Sequence, residues 1–268
     1  MKFFFLISVL LSSSVSYANE LDKKIRLLKE PQRRSIQIKK EDVVSLERFE
    51  QMFMMDSRTP GIQAMLKRNA FKHREKAVPT LIKVMKESKY PVQNRWHATM
   101  LLGQIMGSKA APFIAKFAEH PHWMMRVASL KALLGLKQSD YVAVYGKALK
   151  DPSHIVRFQA LDNISQLKVN ALAPDVWKMM YDQSNYSGEK GGRRRTSIVK
   201  SIIRTLGDVK YAPAKKPLAK LIQKPKYQDL IEDLDYSLEK ITGEKSPNSI
   251  EQRRKFWAKI ALNNEMKL

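Results

Sequence analysis

Between positions 190 and 226 the chain carries Lys190, Arg193, Arg194, Arg195, Lys200, Arg204, Lys210, Lys215, Lys216, Lys220, Lys224 and Lys226 against one acid, Asp208. An excess of this density suits the holding of anions. Ammonium groups supply compact positive charge, and guanidinium groups supply a planar fork of donors that matches carboxylate or phosphate. On a helix turning about 100° per residue, Arg193, Ser197, Lys200 and Arg204 share one side, while Ile198, Val199, Ile202, Ile203 and Leu206 share the opposite one. Such a helix buries one face and presents a basic stripe on the other. Arg193, Arg194, Arg195, Lys200, Arg204, Lys215 and Lys216 are therefore the candidate partner-binding residues. The competing reading is a solvated charged face. The concentration of charge beside the Gly191-Gly192 loop keeps the binding reading open.

Catalytic patterns are not found. The sequence holds no Gly-rich phosphate loop, no Gly-x-Ser-x-Gly elbow and no His-Glu-x-x-His. Without cysteine it has no disulfide, thiolate nucleophile or Cys-ligated metal. Glu119-His120-Pro121-His122 is the one metal-like cluster, and its proline marks it as a turn. The expectation is no catalytic residue, no metal and no cofactor. With a net charge of +23 and a pI near 10.0, the chain should attract polyanions in general, from nucleic acid to acidic proteins and envelope polymers.

The elements that must position these residues come from a repeat. Arg95, Arg126 and Arg157 recur at steps of 31, and a small residue lies three beyond each: Ala98, Ser129 and Ala160. Pro79, Pro112, Pro174 and Pro213 each precede an apolar helical pattern, as in Val78, Leu81, Ile82 and Met85. Proline fits a first helical turn, where its missing N–H costs nothing. Each unit thus reads as a helix opened by proline, a turn and a second helix, and no strands are expected. The recurrent arginines could form an anion ladder, but their period fits better with tying neighbouring units together. Trp96, Trp123 and Phe158 fit the core better than a base-stacking platform.

Asp151-Pro152-Ser153-His154-Ile155-Val156-Arg157-Phe158-Gln159-Ala160-Leu161 resembles the HEAT-repeat pattern, and the 31-residue step is similar to the short bacterial HEAT-like repeats of the phycobilisome-lyase type. The resemblance covers roughly residues 77–243. It implies an all-α, right-handed α-solenoid of stacked helix pairs. Ile241-Thr242-Gly243 followed by Arg253-Arg254-Lys255-Phe256-Trp257 resembles the closing segment of such proteins, in which a last helix covers the exposed end. Phe256, Trp257 and Ile260 would supply that cover. The expected organisation is a leader over 1–18, a basic arm over 19–40, the solenoid over 41–243 and a capping helix over 244–268.

The leader assignment rests on Lys2, the apolar run Phe3–Leu11 and small residues at Ser16 and Ala18, the order of a secretory signal peptide cleaved after Ala18. The apolar run is about half the length of a membrane span. A bacterial periplasmic or secreted protein is therefore expected. Its function is read as a non-enzymatic scaffold or adaptor whose basic surface binds an acidic protein or an anionic envelope component. Nucleic-acid binding in the manner of HEAT-like DNA glycosylases is the alternative. Asp162 and Trp96 would be its counterparts, and export counts against it. A lyase or cofactor-chaperone role like that of the repeat's namesakes is a further alternative, weakened by the absence of cysteine and of an acid/base cluster.

Overall fold

A computed structural model describes residues 44–262 except 56, 59 and 187–195. The expected leader and basic arm lie outside the described residues, as do Arg193, Arg194 and Arg195. Among the described residues every regular element is helical. Helices α1 (Leu46–Met52) and α2 (Pro60–His73) come first. Three pairs follow: α3 (Val78–Lys86) with α4 (Val92–Met106), α5 (Ala111–Ala115) with α6 (Trp123–Gly135), and α7 (Val142–Ala148) with α8 (His154–Leu167). Two more are α9 (Ala173–Lys178) with α10 (Thr196–Asp208) and α11 (Lys215–Leu221) with α12 (Ile231–Thr242). Helix α13 (Ile250–Leu262) is last.

The first helix of each pair packs on the second, and the second helices α4, α6, α8, α10 and α12 pack on one another in sequence order. Pro79, Pro112 and Pro174 sit in the first turns of α3, α5 and α9. Ala98, Ser129 and Ala160 are fully buried on α4, α6 and α8. Side chains of this size let the backbones approach, and buried polar ones use that proximity. Asn163 Nδ2 of α8 donates to the Leu130 carbonyl of α6 at 2.8 Å, and Ser237 Oγ of α12 donates to the Ile203 carbonyl of α10 at 2.7 Å. Each satisfies a donor that would otherwise be buried unpaired.

Three of the long helices also end alike. Lys137, Lys168 and Lys210 lie beyond α6, α8 and α10 with φ of 54°, 55° and 52°. The next residue's N–H then reaches back five residues, from Gln138 to Leu133, Val169 to Ile164 and Tyr211 to Leu206. This left-handed closure satisfies helix carbonyls that have no partner within the helix. Gly243, at φ 79°, occupies the same kind of position after α12. Beyond it, α13 packs on α11 and reaches Asp235 of α12 through Arg253 and Trp257. Trp257 is fully buried there, and its Nε1 donates to Asp235 Oδ1 at 2.6 Å.

Candidate anion-binding surface

Helix α10 buries Ile198, Val199, Ile202, Ile203 and Leu206 against its neighbours α8 and α12. That leaves Lys200 half-buried and Arg204 exposed on the other side. Both point at one carboxylate. Arg204 Nε donates to Asp233 Oδ1 of α12, and Lys200 Nζ stands 3.6 Å from Asp233 Oδ2. The Arg204 guanidinium also lies 4.7 Å from the centre of the Tyr236 ring. Tyr236 in turn donates its hydroxyl to Asp208 Oδ1 at 2.7 Å, while Ser165 Oγ donates to Asp208 Oδ2 at 2.6 Å. Burial, followed by this bond to Asp208, raises the Tyr236 phenol above its usual range. Lys200 and Arg204 are thus partly neutralised within the fold. Asp233 lies 29 residues beyond Arg204, outside the basic stretch, so the stretch alone gave no sign of it.

The charge further along is different. Lys215 and Lys216 are half-buried in the first turn of α11, and Lys210, Lys220, Lys224 and Lys226 are exposed. Among the described residues none of these six is within ion-pair distance of a carboxylate, whereas Lys200, Arg204 and Lys245 are. The structure therefore separates the candidate residues. Lys200 and Arg204 meet on the Asp233 carboxylate, and Lys215 and Lys216 stand apart from it with the unpaired lysines.

The recurrent arginines hold turns. Arg95 donates through Nε and a terminal nitrogen to the Met85 carbonyl, and that nitrogen stands 2.8 Å from His120 Nε2 of the following unit. Arg126 grips Asp151 of the following unit through two bonds, of 2.6 and 2.7 Å, and also donates to the carbonyls of His120 and Pro121. Arg157 donates to the Asp151 carbonyl. Arg95 and Arg126 thus join their units to the turn of the next one, while the Arg157 bond holds the turn of its own unit.

The histidines of the Glu-His-Pro-His turn are occupied in the same way. His122 Nδ1 accepts from the Met124 N–H and caps α6. His120 Nδ1 faces the His122 N–H at 3.0 Å while Nε2 faces Arg95, and a neutral imidazole can accept at only one of them. Burial, then the Arg95 charge, holds the His120 ring below its usual pKa.

Two of the three aromatic residues depart from their expected place, while Trp96 packs against the core. Trp123 is 38% exposed and Phe158 44%, and Trp96 is half-buried. Trp96, Trp123 and Ile155 line one apolar surface shared by α4, α6 and α8. Spacing alone did not reveal this, because these residues flank the buried positions of their helices.

The described fold is of the all-helical class, built from consecutive helix pairs. No protein-family model and no curated protein matches the chain. Among solved structures, the complex of CpcE and CpcF of phycocyanin lyase from Nostoc sp. PCC7120 is similar over 87% of this chain and 100% of that chain, at 13% identity and a TM-score of 0.44.

Proposed function

We propose that the chain is a non-enzymatic scaffold, built as a right-handed HEAT-like solenoid and exported behind a leader cleaved after Ala18, which docks an acidic protein or an anionic envelope polymer. The observation that carries this reading is the set of lysines from Lys210 to Lys226 that face no carboxylate among the described residues, beside arginines that do have internal partners. A fold that needed these cations for its own stability would pair them, as it pairs Arg126 with Asp151. Unpaired surface lysines in a chain of net charge +23 speed encounter with an anionic partner, and the effect weakens with salt. Exposed pairs contribute only about 0–1 kcal/mol each, so docking would draw on several lysines together. Capture from an envelope extract at low salt, followed by elution with salt, tests the reading. One acidic protein or an anionic polymer in the eluate supports it, and nucleic acid alone would overturn it.

A further inference from the structure

A cleft of about 680 Å³ opens beside these lysines, between the first helices of the last two pairs. Trp177 of α9 and Tyr181, just beyond it, form one wall and meet edge to face at 5.5 Å. Tyr227 stands among the lining residues contributed from beyond α11. Lys220, Lys224 and Lys226 also line it, and the Lys226 ammonium sits 4.9 Å from the Tyr227 ring centre. Among the described lining residues there is no Asp or Glu. Tyr181 is 68% exposed, so its ring is open to a docking side chain.

We propose that this cleft is the recognition point of the docking surface and takes an acidic peptide segment of a protein partner, with one apolar or aromatic side chain seated among the rings and flanking carboxylates on Lys220, Lys224 and Lys226. The inference rests on the anionic docking reading above and narrows it to a place and a chemistry. The volume fits a few side chains and lies within the usual range for a binding pocket. The arrangement is that of an interface hot spot, in which aromatic anchors hold a desolvated side chain and charged groups surround it. A peptide is favoured over a polynucleotide by the distribution of charge. The three lysines stand together at one cleft, whereas a phosphate backbone calls for cations spaced along a groove.

Fluorescence anisotropy of the full chain with labelled probes at low salt tests this. The probes are the peptide Glu-Glu-Leu-Phe-Glu-Glu, a polyglutamate of the same length and a short oligothymidylate. The anchored peptide should bind at least about fivefold tighter than polyglutamate. Tyr181→Ala should remove that margin, and Lys220→Glu with Lys224→Glu should weaken the anchored peptide by about tenfold. Circular dichroism of each variant should match the unaltered chain, since all three positions are exposed. Equal binding of the two acidic probes, indifferent to Tyr181, would overturn the cleft and leave the general anionic reading standing. Tighter, Tyr181-dependent binding of oligothymidylate would assign the cleft to nucleic acid instead. Failure of every acidic probe to bind the unaltered chain would overturn both readings.

Discussion

Arg204 of α10 and Asp233 of α12 are joined across the contact between their helices, with Nε donating to Oδ1 and the guanidinium resting on the Tyr236 ring. Asp233 is 4% exposed, so its carboxylate depends on Arg204 and Lys200 for compensation. A charge on this helix that looks like binding surface is therefore also structural. Arg204→Glu should cost about 1–2 kcal/mol, because it removes one partner and sets a second carboxylate beside a buried one. Lys216→Glu should fall within about ±0.5 kcal/mol. Urea unfolding of the two variants checks this, and equal midpoints would contradict the account.

The approach of α10 to α12 is tight at Gly207. A Cβ built there would stand 2.7 Å from Ser237 Cα and 2.9 Å from its Oγ. The first of these is backbone, which cannot swing away. Gly207→Ala should therefore force the helices apart, disturb the bond from Ser237 to the Ile203 carbonyl and cost about 1–3 kcal/mol. Gly61→Ala, with nothing within 4 Å of the added carbon, serves as the control and should leave the thermal midpoint unchanged or slightly raised.

Acid should loosen the fold through its histidines before it reaches its carboxylates. Burial holds both His97 and His120 below the ordinary value of 6.5, with the Arg95 charge adding to the effect at His120. The unfolded chain then binds more protons than the folded one between the folded and ordinary pKa values. Stability therefore rises with pH across that window and falls on acidification through 6.5. Glu50 and Glu239 are held below their ordinary 4.5, so their contribution is lost only at lower pH still. The urea midpoint should be flat between about pH 7 and 9 and decline below 7, with a shallower decline in His97→Gln/His120→Gln. A midpoint that rises on acidification would contradict this.

Much of the fold was legible because its signals are local. Pro79, Pro112 and Pro174 mark helix starts, and Arg95, Arg126 and Arg157 mark turns, each by a residue type with one dominant backbone or hydrogen-bonding use. The apolar face of α10 followed from helical period alone. What escaped notice depends on distant partners or on which neighbour covers a face. Asp233 neutralises Arg204 from the next pair. Trp123 and Phe158 carry apolar rings at positions beside the buried face, so their type suggested core while their angle leaves them exposed. Lys137, Lys168 and Lys210 occupy left-handed turns where glycine would be the expected signal. The site was legible as charge and not as geometry, since only the packed structure separates the paired cations from the unpaired ones.

Retention of the chain on immobilised polyglutamate, eluted with rising sodium chloride, tests most directly whether the unpaired lysines form the docking surface. The comparison is with Lys210→Glu/Lys215→Glu/Lys216→Glu, which lies off the Arg204–Asp233 pair and off the aromatic cleft. The expected result is elution of the triple variant at clearly lower salt, with each substitution shifting stability by no more than about 0.5 kcal/mol. A folded triple variant that elutes with the unaltered chain would contradict the account and show these lysines to be a solvated face.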